Sequence, residues 1–131
     1  PYFKQNSVKE SHILSSHQAK VESMPLSAWI SVAKNRCKPN GKITVIQRVE
    51  RLPDIIKCLD GYFGQVTVQP ISSFKDTSPK TVIVQATKTS GAAFKLLAPK
   101  IVHRRDGISG KVVYEDEFKK ILRYGHPLQL N

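Results

Sequence analysis

Residues 43–63 read ITVIQRVERLPDIIKCLDGYF, and this stretch sets the expected fold. Its first four residues, 43–46, form an apolar, β-branched run that is typical of a buried strand. Apolar side chains then recur every three or four residues, which is the spacing of one helix face; they are Leu52, Ile55, Ile56, Leu59 and Phe63. Pro53 suits the start of such a helix, and Gly61 or Gly64 suits its end. The stretch predicts a strand followed by an amphipathic helix.

The segments on either side extend this strand–helix unit. Upstream, residues 26–37 predict a helix that follows Pro25 and ends in a turn at 38–41. Its apolar stripe is formed by Leu26, Trp29, Ile30, Ala33 and Cys37. Downstream, strands near 66–68 and 81–86 are separated by a polar loop and are expected to pair as an antiparallel hairpin. The order predicts an α/β fold with a mostly parallel sheet and an antiparallel last strand.

The C-terminal third of the chain predicts smaller elements. Short apolar pieces lie at 94–97 and 101–102, and Gly107 and Gly110 mark turns. Residues 115–124 predict a helix that is acidic at its N-terminal end and basic at its C-terminal end, which suits the helix dipole. The expected buried face of this helix consists of Phe118, Ile121 and Leu122.

The composition indicates one globular domain. The chain has 131 residues, the usual length of a single domain. It contains no run of 18 apolar residues, so no membrane span is expected. Without a signal-peptide pattern at the start, a cytoplasmic location is expected. Cys37 and Cys58 are too few and too far apart for a disulfide scaffold or a CxxC motif, and we expect them to be buried, reduced thiols.

The charge of the chain is its most informative bulk property. The chain contains twenty-one lysines and arginines and ten acidic residues, which gives a net charge of +11. A basic surface of this kind favours a polyanionic partner, and nucleic acid is the usual one. A basic protein without any such partner is the alternative.

The familiar catalytic and metal-binding motifs are missing from the sequence. It contains no GxGxxG or Walker loop, no HExxH or CxxC motif and no nucleophile elbow. His12 and His17 lie in a polar stretch and are a weak candidate for a zinc pair, so no metal site is expected. The residues by themselves therefore define no catalytic centre.

Two features could contact nucleic acid. At the start, Pro1-Tyr2-Phe3-Lys4 places aromatic rings beside a proline, and such rings can stack on a base. Near the end, His103-Arg104-Arg105 lies in a basic stretch whose guanidinium groups could hold phosphate. A frayed terminus and a solvated charged face are the corresponding alternatives.

Five segments, taken in order, resemble a known enzyme family. Pro1-Tyr2-Phe3 looks like the tail of an Asn-Pro-Pro-Tyr-Phe motif, and Lys38-Pro39-Asn40-Gly41-Lys42 resembles a Lys-Pro-Gly-Gly turn before a strand. Residues 47–52 are similar to His-Arg-Pro-Glu-Arg-Leu, and 99–107 and 114–117 resemble a basic turn and an acidic helix start. The family is the class I S-adenosylmethionine-dependent methyltransferases, and the branch it most resembles is the bacterial tRNA adenine-N6-methyltransferase-like proteins that modify valine tRNA.

The resemblance implies a particular place in the methyltransferase fold. The chain would be the C-terminal half of a Rossmann-like methyltransferase domain and would supply roughly strands five, six and seven, the last of them antiparallel. Residues 1–131 would form one unit, with 1–24 as the substrate-side loop and 25–131 as the helix–strand units and the C-terminal helix. The glycine-rich loop for S-adenosylmethionine would lie in the absent N-terminal half. No cofactor-binding residue is therefore expected here, and the fragment alone is expected to be inactive.

The resemblance also implies roles for individual residues. Pro1 and Tyr2 match the catalytic motif, in which the proline carbonyl holds the target amino group and the tyrosine stacks on the base. The asparagine of that motif has no counterpart in the sequence. Phe3 and Lys4, together with the basic residues His103, Arg104 and Arg105, are the expected substrate-binding residues.

The expected function is methyl transfer from S-adenosylmethionine to an exocyclic amine, with adenine N6 in tRNA as the expected acceptor. The expected partners are RNA and either the missing N-terminal half or a second copy joined through an exposed sheet edge. The main alternative is a non-catalytic, basic α/β module that binds nucleic acid or a protein. A weaker alternative is a small-molecule or protein methyl acceptor, because Asn-Pro-Pro-Tyr motifs also serve other amines.

Overall fold

The structure is a computed structural model that describes residues 24–130. This part of the chain contains three α-helices, one 3₁₀ turn and seven strands. The helices are α1 (Leu26–Arg36), α2 (Leu52–Leu59) and α3 (Asp116–Tyr124), and the 3₁₀ turn is Val49–Arg51. The strands are β1 (Lys42–Arg48), β2 (Phe63–Ser72), β3 (Thr81–Lys88), β4 (Lys95–Leu96), β5 (Lys100–Ile101), β6 (His103–Arg105) and β7 (Val112–Tyr114).

The main sheet has mixed strand directions. Its order is β1-β3-β2-β4, and β5 also pairs with β2. The central strand β3 is antiparallel to both β1 and β2, so β1 and β2 run parallel to each other on its two sides. The predicted antiparallel hairpin is thus confirmed as β2–β3, and a mixed α/β fold is confirmed. The sheet is less parallel than expected, because only the two-residue strands β4 and β5 pair in parallel with a neighbour.

The core lies between this sheet and the helices α1 and α2. Its buried side chains are Leu26, Ile30, Ile55, Leu59, Phe63, Val68, Val82, Val84 and Ala86. The apolar side chains predicted for α2 therefore pack into the core, and Ile55 and Leu59 are almost fully buried. The prediction that Phe63 continues the helix face is wrong, because the helix ends at Leu59 and Phe63 is the first residue of β2. Gly61, with φ +75°, turns the chain between the two elements.

Helix α1 has a narrower buried face than its sequence predicts. Leu26 and Ile30 are buried, whereas Trp29 is 49% exposed. The last turn of the helix is held by Lys88 at the end of β3. Its Nζ donates hydrogen bonds to the carbonyl oxygens of Lys34 and Cys37, both at 2.7 Å. These carbonyls lack partners within the helix, so the ammonium group joins α1 to the sheet.

The sequence predicts that β1 is buried, and this prediction is wrong. Its residues alternate in exposure, and Ile46 is 53% exposed. The reason is position: β1 pairs with β3 on one side and lies at one edge of the described sheet. The two thiols also differ from expectation, because Cys37 and Cys58 are free but only half-buried.

The predicted bounds of helix α3 are confirmed, but the predicted burial of Phe118, Ile121 and Leu122 is not. Glu115 is its N-cap, and Gly125 ends it with a left-handed φ of +68°. None of its residues is buried, and Leu122 is 60% exposed. The helix packs against the short strand β7 rather than the main core, which explains the difference. Within 24–130, no helix is long and apolar enough to cross a membrane.

Candidate nucleic-acid interface

The sequence-predicted site residues fall into two groups. Pro1, Tyr2, Phe3 and Lys4 lie outside the described residues, as does nearly all of the predicted loop 1–24. His103, Arg104 and Arg105 form strand β6, which pairs with β7 as a separate two-stranded hairpin. The geometry of the candidate site is therefore that of the β6–β7 hairpin and of α3, which follows it.

The turn of this hairpin is held by Asp106. Its carboxylate accepts hydrogen bonds from the backbone N–H groups of Ile108 and Ser109 and from the Ser109 hydroxyl. Its own N–H donates to the Lys111 carbonyl at 2.9 Å, and its carbonyl accepts from the Gly110 N–H at 2.8 Å. An aspartate that bonds backbone groups two and three residues ahead is a common turn-forming device. The turns predicted at Gly107 and Gly110 are thus confirmed as one turn.

The basic run of β6 is divided between the two faces of the hairpin, because successive strand residues point to opposite sides. His103 lies between two aromatic rings, with its centroid 5.7 Å from that of Phe74 and 4.8 Å from that of Tyr114. The Arg105 guanidinium is 5.8 Å from the Phe74 ring centre. Arg104 instead has its Nε 3.7 Å from a Glu115 carboxylate oxygen. The three basic residues therefore do not form one phosphate clamp.

A cleft of about 420 Å³ lies between the hairpin and α3. Three of the side chains that line it are cations, Arg104, Lys119 and Arg123, and two are acids, Asp106 and Asp116. Lys119 and Arg123 are four residues apart on α3, so they share one helix face. The Asp106 carboxylate is already engaged in the turn. Arginine and lysine side chains in such a cleft can bind an anion such as a phosphate group.

The sequence did not single out Lys119, Arg123, Tyr114 or Phe74 as binding residues. The first two form an i, i+4 pair of cations in the sequence, but cations near a helix C-terminus also suit the helix dipole, so this pattern alone does not indicate a binding site. Phe74 lies in the loop that connects β2 to β3, about thirty residues before His103, and no local pattern predicts that they meet. Only the folded chain brings these groups together.

The strand-to-helix turn after β1 is not the glycine-rich S-adenosylmethionine loop, which the resemblance places in the absent N-terminal half. The methyltransferase resemblance calls for a glycine-rich turn between a strand and a helix, where backbone can approach the cofactor closely. The strand-to-helix turn after β1 is Val49–Arg51, which has no glycine. The two arginines at this turn are each paired with a carboxylate, Arg48 with Glu50 and Arg51 with Asp54. Within 24–130 there is also no group of three or more His, Cys, Asp or Glu side chains that could hold a metal.

Comparison with known proteins supports the fold. No family model matches the chain, and no curated protein matches it significantly. Solved structures are similar to the chain, among them a protein from Agrobacterium tumefaciens described as a predicted O-methyltransferase, with a TM-score of 0.67 and 22% sequence identity. The match covers 74% of this chain and 45% of that protein, so this chain spans about half the length of its neighbour. The described residues therefore have a methyltransferase-like fold.

The turn at Asp106 predicts a pH dependence. Its pKa is held below the ordinary value, first by the Ser109 hydroxyl, then by the N–H groups of Ile108 and Ser109 and by the charge of Arg104. A carboxylate with a lowered folded-state pKa stabilises the turn above its unfolded pKa, and that contribution is lost as the pH falls through the folded value.

We expect the NMR amide shifts of Ile108 and Ser109 to stay constant between about pH 7 and pH 5 and to move only below about pH 4. Asp106→Asn should remove that acid transition. A transition above about pH 5 in the unsubstituted chain would contradict the assignment.

Proposed function

We propose that this chain is the C-terminal part of a cytoplasmic, S-adenosylmethionine-dependent methyltransferase whose acceptor is an exocyclic amine, adenine N6 in tRNA. The observation that carries the proposal is the position of β3, an antiparallel strand between two parallel neighbours. The sequence resemblance implies that the last strand of the methyltransferase sheet is antiparallel, and the antiparallel direction of β3 agrees with this expectation. The solved structure with a similar fold, described as a predicted O-methyltransferase, adds support for methyl transfer in general.

The residues of this chain would contribute substrate binding rather than cofactor binding. By resemblance, Pro1 and Tyr2 would hold and stack the target base, with Phe3 and Lys4 beside them. An exocyclic amine has to be oriented by acceptors, and an aromatic wall keeps an extruded base in place. S-adenosylmethionine would supply the methyl group, and residues outside 24–130 would hold it. The basic charge of the chain, +11, would attract the RNA.

The open edge of β1 would be the place for a structural partner. Its seven residues pair with β3 on one side only among the described strands. An unpaired strand edge offers a row of N–H and C=O groups to another strand. We propose that the N-terminal half of the methyltransferase domain pairs there, with self-association of the chain as the alternative.

A second candidate function is a non-catalytic, basic module that binds nucleic acid. The observation in its favour is the cleft between the β6–β7 hairpin and α3, where three cations and two acids line the wall. Such a module would need neither S-adenosylmethionine nor a second half.

Nucleoside analysis of tRNA separates the two candidates. Deleting the gene that encodes this chain in its source organism should remove N6-methyladenosine from at least one tRNA, as measured by liquid chromatography and mass spectrometry. Restoring the gene with Tyr2→Phe should restore the modification, whereas Tyr2→Ala should not, because only the first variant keeps an aromatic ring for stacking. An unchanged nucleoside profile in the deletion strain would favour the binding module.

Calorimetry on this chain tests where the cofactor site lies. We expect no heat on addition of S-adenosylmethionine or S-adenosylhomocysteine, together with a folded circular dichroism spectrum. Stoichiometric binding of either ligand would show that residues of this chain hold the cofactor, and the division of roles proposed here would then be wrong.

A further inference from the structure

The tip of the β6–β7 hairpin carries an apolar side chain in full contact with solvent. Ile108 is 100% exposed, the highest value among the exposed large apolar side chains of residues 24–130. It does not sit in a loose loop, because its own N–H and that of Ser109 are bonded to the Asp106 carboxylate. A fixed turn thus presents an isolated isoleucine away from the body of the domain.

Cations lie on both sides of this tip. Arg104 and Arg105 precede the turn and Lys111 follows it. The cleft behind the hairpin adds Lys119 and Arg123 from α3. Asp106 is occupied by the turn itself, Glu115 lies beside Arg104, and Asp116 also lines the cleft, so the five cations outnumber three acids. An apolar tip within a basic surface suits a ligand that has both flat apolar groups and anionic groups.

RNA with an unstacked base has this combination. Its phosphates would contact the cations, and the gap left by a displaced base would accept an aliphatic side chain. Proteins that distort nucleic acids insert apolar wedges, isoleucine among them, between base steps. An enzyme that modifies a base has to take it out of its stack first. A protein partner with an acidic rim around an apolar pocket is the other ligand of this chemistry.

We propose that the β6–β7 hairpin is an RNA wedge: Ile108 inserts beside the displaced base, while Arg104, Lys119 and Arg123 hold the neighbouring phosphates. The choice of RNA rests on the proposed function. The wedge itself does not depend on which base is methylated or on where the cofactor binds.

The wedge can be tested by binding alone. The probe is an RNA hairpin with 2-aminopurine in place of one loop adenine, because the fluorescence of this base rises when it leaves its stack. The full chain should bind the probe and raise its fluorescence. Ile108→Ser should abolish the rise while changing the affinity by less than about threefold, because the phosphate contacts remain. Val32→Ser, which changes a half-exposed valine on α1, should leave both unchanged.

The phosphate contacts have a different signature. Arg123→Gln should weaken binding by about threefold to tenfold and reduce the dependence of log affinity on log salt by about one unit. The fluorescence of the saturated complex should be unaffected. Arg36→Gln on α1 is the matched control and should change the affinity less.

The proposal is overturned if the chain does not bind the probe, or if Ile108→Ser keeps the full fluorescence rise. The first outcome would leave a protein partner as the ligand of the tip. These results are independent of the nucleoside analysis. A wedge signal in a chain whose deletion leaves N6-methyladenosine intact would refute adenine-N6 methylation but not the wedge. A missing fluorescence signal, together with the loss of N6-methyladenosine in the deletion strain, would refute the wedge but not adenine-N6 methylation.

Discussion

Gly64→Ala is expected to lower the free energy of unfolding by about 3 kcal/mol, through overpacking and backbone strain in the folded state. A Cβ atom at this position would lie 1.7 Å from the carbonyl oxygen of Ser90. The obstacle is backbone and cannot rotate away as a side chain would. The nearby N–H of Gln65 donates to the Ala92 carbonyl at 3.1 Å, which holds the two segments together. Urea denaturation followed by circular dichroism would measure the loss.

Gly91→Ala is the matched control for this substitution. Gly91 is the residue after Ser90, but a Cβ there meets no heavy atom within 4 Å. Its unfolding free energy should therefore change by less than about 1 kcal/mol. If the two alanine variants were equally stable, the close approach of β2 to residue 90 would not exist in solution.

Lys88→Met is expected to cost about 2 kcal/mol, the usual worth of hydrogen bonds from a charged group. The methionine keeps the apolar stem but leaves the carbonyls of Lys34 and Cys37 without the ammonium that now bonds both at 2.7 Å. The positive charge also lies at the negative end of α1, so its removal forfeits a favourable dipole interaction. The same urea titration, monitored by the far-ultraviolet signal, would report the change.

Lys42→Met provides the comparison for that measurement. Lys42 lies in β1 next to β3 and is exposed, with its Cα opposite that of Thr87. Its loss should cost less than about 0.5 kcal/mol. Equal effects of the two substitutions would mean that lysine charge in general, and not the contact at the end of α1, stabilises the domain.

The sequence predicts the elements of this fold better than their exposure. Helix α2 and the β2–β3 hairpin follow from periodicity and loop composition, which are local properties. The exposure of Trp29 and Ile46 does not follow from these local properties, because it depends on how far neighbouring elements extend over each face. Leu122 shows the same effect: its helix has an apolar face, but only the short strand β7 lies against it. Periodicity identifies an apolar face without revealing what covers it.

The candidate site was predictable only in part. The basic run at 103–105 is visible in the sequence, since its charges are adjacent. Arg104 lies on the opposite face of β6 from His103 and Arg105. The sequence does not predict this, because a three-residue strand is too short to show a recognisable alternation. Lys119 and Arg123 reach the same cleft through tertiary packing. The roles of Pro1 and Tyr2 rest on resemblance alone and stay predictions.

The central position of β3 has a consequence for the order in which the sheet can be assembled. Of the described strands, β1 leaves the ribosome first, yet its pairing partner among them is β3, which ends at residue 88. The β2–β3 hairpin closes across a short connection and can form as soon as both strands have left the ribosome. Strand β1 can join only afterwards, on the far side of β3. Until residue 81 and those after it have been synthesised, β1 and β2 therefore lack the strand that both of them pair with, and it is in this interval that their open edges most depend on protection from aggregation.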